Sequence, residues 1–297
     1  MTTGDVAEAS VAAVLAREWG LQVDSLATNH GGMNSRTWIV DGSGHRFVAK
    51  AVPVERAASF EAGLATATLV EEAGIPAGAP VLTRAGRRSA PVENSVVAVL
   101  RWVEGAELTG ESVEERRLIG STLGRAHLAL AGLETPGAGR FHWIDVAAAH
   151  LGSRPWVRPA IEAAIAAYHA MRPESLTWGL LHTDPAPEAF RLDPTTSECA
   201  LIDWDLGMVG PLLYDLASAE MYVGGPHRSS PLIDAYLETG ALRPEEVDRG
   251  LKPMARMRWA VQADYFARRI AKDDLTGIDS AAENEKGLED ARRGLNA

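Results

Sequence analysis

A single cysteine, Cys199, stands in a chain of 297 residues. It cannot close an intrachain disulfide and has no second thiolate for a cysteine-based zinc site, so a reducing compartment is expected. No run of basic residues occurs either. Lys and Arg total 29 against 40 Asp and Glu, a formal net charge of -11 spread along the chain. Holding nucleic acid by its phosphates needs a concentrated positive face, so no nucleic-acid partner is expected. No stretch approaches the roughly 20 uninterrupted apolar residues of a membrane-spanning helix. The first ten residues, which include Asp5 and Glu8, lack the basic-then-apolar pattern of an export signal. The expectation is a soluble cytoplasmic protein with no membrane partner.

What is present is apolar material in quantity. Hydrophobic residues make up 46% of the chain, enough to bury the core of one large domain or two lobes. The acidic surface suits a cationic small molecule, although solubility alone is the commoner reason for it.

Val11, Val14 and Leu15 recur at helical spacing and Gly20 stops them. From Leu21 to Val52 the pattern turns to β. Thr37 to Val40 and Arg46 to Ala51 flank Asp41-Gly42-Ser43-Gly44, a strong hairpin signal. Helical spacing returns from Ala58 to about Ala73, ended by Gly74. Strands are expected over Pro80 to Thr83 and Ser95 to Val103, around the turn Gly86-Arg87-Arg88. After Glu104-Gly105 the chain reads as long helices. Ser112 with Glu115 three residues on makes a capping box ahead of Leu118, Ile119, Leu123, Ala126 and Leu130. A second helix is expected from about Ala160 to Met171, and helices again over the last eighty residues.

The most informative segment begins at Leu180-Leu181-His182-Thr183-Asp184 and, nineteen residues after Asp184, reaches Ile202-Asp203-Trp204-Asp205. Each half is an apolar strand that ends in a carboxylate. Two carboxylates presented so suit a reaction in which one orients a nucleophile and the other holds a divalent cation against phosphate oxygens. Hard oxygen ligands favour magnesium. Upstream, the strand Arg46-Phe47-Val48-Ala49-Lys50 places a lysine among apolar neighbours, where an ammonium requires a partner. Such a lysine can hold nucleotide phosphates, and Glu61 at the start of the next helix could pair with it. Gly31-Gly32-Met33-Asn34-Ser35 would let backbone amides approach a phosphate, although a tight hairpin uses the same residues.

The order of these pieces resembles the aminoglycoside phosphotransferase family of the protein-kinase-like superfamily. The likeness runs through Gly31-Gly32-Met33-Asn34-Ser35, Val48-Ala49-Lys50, Glu61, Val103-Glu104-Gly105, Arg125-Ala126-His127, His182-Thr183-Asp184, Ile202-Asp203-Trp204 and Gly210-Pro211-Leu212-Leu213-Tyr214-Asp215-Leu216-Ala217. It implies an α/β (α+β), two-lobed protein-kinase-like fold, with an antiparallel-sheet N-terminal lobe over residues 1–103 and a mainly helical C-terminal lobe over 104–297. It also implies an ATP-dependent kinase with an alcohol group as acceptor, using ATP or GTP and Mg2+. Lys50 would bind the α- and β-phosphates with Glu61 as its anchor, and Gly31, Gly32, Asn34 and Ser35 would lie near the nucleotide. The hinge through Leu100, Trp102 and Val103 would meet the purine. Asp184 would receive the acceptor hydroxyl, His182 would brace its loop, Asp215 would steady that loop from below, and Asp203 would ligate magnesium.

One departure stands out. The family pattern has an asparagine five residues after the catalytic aspartate, as a ligand for the second metal; here the position is Ala189. Glu188, Asp205 or water could fill the place, a one-metal enzyme is possible, and a noncatalytic nucleotide-binding protein stays open. For the acceptor, the resemblance implies carboxylates lining the C-terminal lobe, with Asp205, Glu220 and Asp264 as candidates for meeting substrate amines. Trp178, Trp204 and Trp259 could wall that cleft or fill the core. The leading substrate is a cationic antibiotic, a capreomycin-like peptide or an aminoglycoside. A metabolic small-molecule kinase is the alternative, and a protein-interaction module is a third class that leaves the ordered motifs unexplained.

Overall fold

The computed structural model describes residues 6–29, 35–142 and 144–296. The hairpin is the local feature most fully written in sequence. Strands β2 (Arg36–Gly42) and β3 (His45–Pro53) pair antiparallel with Gly42 opposite His45. That leaves a two-residue turn in which Ser43 and Gly44 both have positive φ, 51° and 76°. This is the turn whose twist matches that of its strands. Around the pair, β1 (Val23–Asn29), β4 (Pro80–Val81), β5 (Ser89–Val92) and β6 (Ser95–Arg101) complete a six-stranded antiparallel sheet. The order is β1-β2-β3-β6-β4, with β5 also on β6. β5 was not foreseen from sequence: four residues after a charged turn carry little β signal of their own. The expected strands at 80–83 and 95–103 are shorter, closing at Val81 and Arg101.

Helix α1 (Glu8–Val14) continues as a wider turn to Trp19 and stops at Gly20, whose φ of 73° is open to glycine. Val11, Val14, Leu15 and Trp19 pack on Trp38, Val40 and Val97 to form the core on one side of the sheet. On the other side Phe60 and Leu64 of α2 (Ala57–Glu72) meet Val52 and Ala98.

Beyond the sheet, β7 (Ala106–Glu107), β10 (Phe190–Leu192) and β11 (Cys199–Leu201) form one small sheet. A second is formed by β8 (Gly139–Arg140), β9 (Trp178–Leu181) and β12 (Met208–Pro211). The remainder is helical: α3 (Val113–Ala129), α4 (Val157–Ala170), α5 (Leu213–Tyr222), α6 (Ser230–Leu237), α7 (Pro244–Ala271) and α8 (Ala281–Leu295). Ser112 caps α3 by accepting from the Glu115 amide at 3.0 Å. The Glu115 carboxylate turns to the amides of Thr109 and Glu111. Among the described residues no helix is long and apolar enough to cross a membrane.

Where the helical part meets the sheet part, small residues let backbones touch. A Cβ on Gly63 of α2 would collide with the Trp204 carbonyl oxygen and lie 3.0 Å from the Asp205 carbonyl carbon. A Cβ on Gly207 would strike Ala62. The Gly207 amide donates to Ser59 O at 2.9 Å, and Leu201 N to Pro76 O at 3.0 Å. Helix α2 is thereby fastened to the segment that carries Asp203 and Asp205. Gly63→Ala should improve helix propensity by about 1 kcal/mol, yet overpacking against a fixed carbonyl costs about 1–3 kcal/mol. The expected outcome is a net loss of stability in urea unfolding; a variant more stable than the parent would show that this contact does not hold the parts together.

Candidate active site

Strand β3 delivers Lys50, opposite Thr37 on β2 and Ala98 on β6. Its side chain is 6% exposed, and its ammonium bonds Asp203 and, at 2.6 Å, Asp205. Burial by itself would lower the lysine's pKa; the two carboxylates overturn that and raise it above the ordinary value. The carboxylates part company. Burial pushes Asp203 up, but the Lys50 ammonium outweighs this and holds it low. Burial and then the charge of Asp203 push Asp205 up to about 7.

Asp203 follows β11 in a left-handed conformation, φ 77°. Its loop is tied to the catalytic-loop candidate: Ile202 N donates to Ala189 O at 2.9 Å, and His182 Nε2 contacts Ile202 O at 2.8 Å. The His182 ring also stands edge-on to Trp204, centroids 4.7 Å apart. Strands β9 and β11, which lead to the two aspartates, lie in different small sheets; these loop contacts are what join them.

Asp215, fully buried at the start of α5, holds the other loop. Its carboxylate accepts from His182 N at 2.6 Å and Thr183 N at 2.9 Å, and His127 Nε2 lies 3.0 Å away. A carboxylate accepts, so His127 Nε2 carries the hydrogen and Nδ1 receives the Tyr236 hydroxyl at 2.7 Å. Thr183 sits at φ 78°, a conformation a β-branched residue adopts only when its surroundings insist. Asp184 comes next, its side chain 61% exposed. It receives the Tyr222 hydroxyl and, at 3.2 Å, Arg258 Nη2.

Several expected assignments change. Glu61 does not anchor Lys50: it accepts from the Ser89 hydroxyl on β5, because α2 turns this position toward that strand while Lys50 points to the loop after β11. Glu188 lies exposed in the turn Pro187–Ala189, and among the described residues no group of three acidic, histidine or cysteine side chains gathers as a metal cage. Glu188 therefore does not join Asp203 and Asp205. Asp205 is engaged by Lys50 and is not a free wall of an acceptor cleft. Glu220 is buried and accepts from the Ser229 hydroxyl at 2.9 Å, and burial raises its pKa. Asp264 is buried against His150 Nε2 at 2.7 Å. Neither is open to a substrate amine.

Gly31, Gly32 and Asn34 lie outside the described residues; Ser35 is buried at the foot of β2. Leu100 is inside the sheet between Val48 and Pro80, whereas Trp102 and Val103 follow the strand's last residue. The Arg46 and Arg191 guanidiniums lie 5.3 and 6.0 Å from the centre of the Trp102 ring. Trp204 is core, Trp178 is covered by Arg140 at 4.4 Å, and Trp259 packs against Gly294. Sequence reading missed Tyr222 and Arg258. The available signal was a charged residue on an apolar helix stripe: Arg258 stands beside Met254, Met257 and Val261, all buried.

A buried lysine on an antiparallel sheet, met by two aspartates from a helical part and flanked by a carboxylate on a braced loop, is the arrangement of a kinase-like fold. A family model for the phosphotransferase enzyme family matches residues 25–253, and the chain belongs to that family. Curated protein sequences offer no match. Among solved structures the chain is similar to an amicoumacin kinase in complex with AMP-PNP, Ca2+ and Ami: TM-score 0.76, 14% identity, covering 97% of this chain and 92% of that one. It is similar to a spectinomycin phosphotransferase with ADP and its antibiotic at TM-score 0.67 and 11% identity, covering 99% and 98%. A choline kinase from Streptococcus pneumoniae superposes at TM-score 0.69 and 16% identity, covering 97% and 98%. At these identities the likeness shows the fold.

Removing Asp215 tests how the loop is held. Asp215→Ala strands two buried amides and the His127 ring, and losing one partner of a buried charged network costs about 3–5 kcal/mol. Urea unfolding should record a loss of that size, and Asp184 should lose its fixed place. A loss below about 1 kcal/mol would mean that other contacts hold the loop.

Proposed function

We propose that this phosphotransferase moves the γ-phosphoryl group of ATP, or of GTP, to a hydroxyl on a small cationic acceptor. The observation that carries the reading is the convergence of Lys50, Asp203 and Asp205 beside the loop that presents Asp184. We place the lobe boundary at 103/104, shortly after β6 closes at Arg101.

Lys50 has three N–H donors. Two face Asp203 and Asp205, which leaves the third for a phosphate oxygen. The donor set suits magnesium, a hard cation that takes one or two carboxylates and fills its remaining places with water and substrate phosphates. Asp203 and Asp205, two residues apart, both bond the Lys50 ammonium through Oδ1, and each keeps a second carboxylate oxygen that a cation could take. No third side chain is demanded, so Ala189 is compatible with metal use; its buried side chain packs while its carbonyl holds Ile202. When bound, the cation would draw off the charge that grows on the phosphates during transfer.

The protein's remaining work is alignment. Asp184 accepts the hydrogen of the acceptor hydroxyl, the acceptor oxygen bonds to the γ-phosphorus, and the bond from that phosphorus to the β-phosphate oxygen breaks. In a loose transition state the proton leaves late, so the carboxylate's work is to orient the hydroxyl rather than to pull its proton away. His182 keeps the two loops in register through Ile202.

The acceptor is a cationic antibiotic, first a capreomycin-like peptide and then an aminoglycoside. The net charge of -11 draws a cation toward the surface, and the amicoumacin and spectinomycin enzymes have the same fold. A metabolic amino alcohol is the second reading, favoured by the equally extensive likeness to choline kinase. Incubating the protein with magnesium ATP and a panel of capreomycin, aminoglycosides and choline, followed by mass measurement, separates the two by which acceptor gains a phosphate. Product with no member of the panel would refute both.

On the acceptor that responds, Asp184→Ala should lower turnover by roughly a hundredfold or more, with nucleotide affinity retained. Asp203→Ala should instead lose affinity for magnesium nucleotide, measured by calorimetry. Unchanged turnover in the first, or unchanged affinity in the second, would remove that residue from its role.

A further inference from the structure

Asp184 hangs from a loop, Pro185-Ala186-Pro187-Glu188-Ala189, that contains no basic side chain to steady it. Its fixed position comes from two helices instead. Tyr222 closes α5 and Arg258 lies in the middle of α7, 74 residues from Asp184 in the chain. Arg258 Nη2 donates to Asp184 Oδ1 at 3.2 Å and to the Tyr222 hydroxyl at 3.0 Å, and the hydroxyl donates to the same Oδ1.

Proton accounting makes this triangle directional. A guanidinium can only donate, so the Tyr222 oxygen accepts from Arg258 and its single hydrogen goes to Asp184. Burial holds the Tyr222 hydroxyl above its ordinary pKa, so that hydrogen stays in place at neutral pH. The clamp itself is rigid: the Arg258 side chain is 8% exposed and lies 5.5 Å over the Tyr222 ring. Both donors meet Oδ1. Among the described residues Oδ2 receives no hydrogen bond, and the carboxylate is 61% open to solvent.

We propose, resting on the phosphotransfer reading above, that Arg258 and Tyr222 are positioning residues for the acceptor step. They occupy Oδ1 of Asp184 and so leave Oδ2 as the one oxygen that receives the acceptor hydroxyl. An exposed carboxylate without them would turn freely and offer either oxygen in many directions, and a misplacement of about 1 Å can cost roughly a hundredfold in rate. Aligning the acceptor hydroxyl is the function a loose transition state asks of Asp184.

The test uses the full chain with magnesium ATP, capreomycin as acceptor, and water as the only acceptor in a parallel series. Arg258→Met should lower kcat roughly a hundredfold in both series, with KM for capreomycin and affinity for ATP within about threefold of the parent. Guanidinium chloride should restore part of the lost rate, and sodium chloride at the same ionic strength should not. Arg258→Lys, which keeps a cationic donor, should recover more than the methionine variant. Tyr222→Phe should cost about tenfold, since one of two donors remains.

Parent-like kcat in Arg258→Met would overturn the clamp while leaving phosphotransfer intact. So would a loss that neither lysine nor guanidinium relieves and that comes with an equal loss of ATP affinity and melting temperature, the mark of a purely structural arginine. A parent protein that consumes no ATP with capreomycin, aminoglycosides, choline or water would refute the phosphotransfer reading itself, and the clamp with it.

Discussion

A buried ammonium must find negative charge, and in this protein nearly everything of functional interest is arranged around that demand. Lys50 is set among Ala49, Ala51 and Ala98 in the middle of a sheet, where desolvation would strip its proton if nothing opposed it. The compensating carboxylates come from outside the sheet, from a loop that begins at Ile202. The ion pairs therefore do more than satisfy a lysine: they join the sheet to the helical part of the chain. Glycines at 63 and 207 allow the helix next to the sheet to approach that loop with backbone against backbone. The interaction that brings the two parts together is also the one that gathers Lys50, Asp203 and Asp205 at one place.

The second carboxylate network works by a different logic. Asp215 is sealed from water and spends its oxygens on two consecutive amides and a histidine ring, which forces Thr183 into a left-handed turn and points Asp184 outward. Asp203 stands in a turn of the same hand. Strained backbone at both acidic loops, each over-determined by hydrogen bonds, is how a fold holds exposed carboxylates still. Arg258 and Tyr222 extend the same scheme to the side chain of Asp184, Tyr222 from the end of the helix that begins near Asp215 and Arg258 from the middle of α7.

Much of the scaffold could be read before any coordinates. Ser43-Gly44 declared the hairpin through its need for positive φ, and Ser112 declared the start of α3 through its side-chain oxygen. Lys50 was visible as a charge in an apolar strand, and Asp184 and Asp203 as acids at strand ends. What escaped reading shares a cause. Strand β5 has little preference of its own and exists because β6 offers it an edge. Glu61 was assigned to Lys50 because both lie near each other along the chain, yet its actual partner, Ser89, is on that unforeseen strand. Glu220 and Asp264 looked like acids available to a ligand, and packing turned them inward to Ser229 and His150.

The amino-acid order alone determined the β2–β3 hairpin, the start of α3 and which residue types carry charge where apolar neighbours surround them, because those properties depend on spacing of a few residues and on local backbone preference. It determined that a cation on the sheet would need anions and that two aspartates stood ready. Only the tertiary structure decided that Asp205 shares Lys50 with Asp203, that Glu188 stays apart, and that Arg258 reaches Asp184. Those choices bring together side chains separated by 153 positions in one case and 74 in another. At such separations the partner is set by how sheets and helices pack, and packing is the sum of every buried contact, of which no short stretch of sequence holds more than a part.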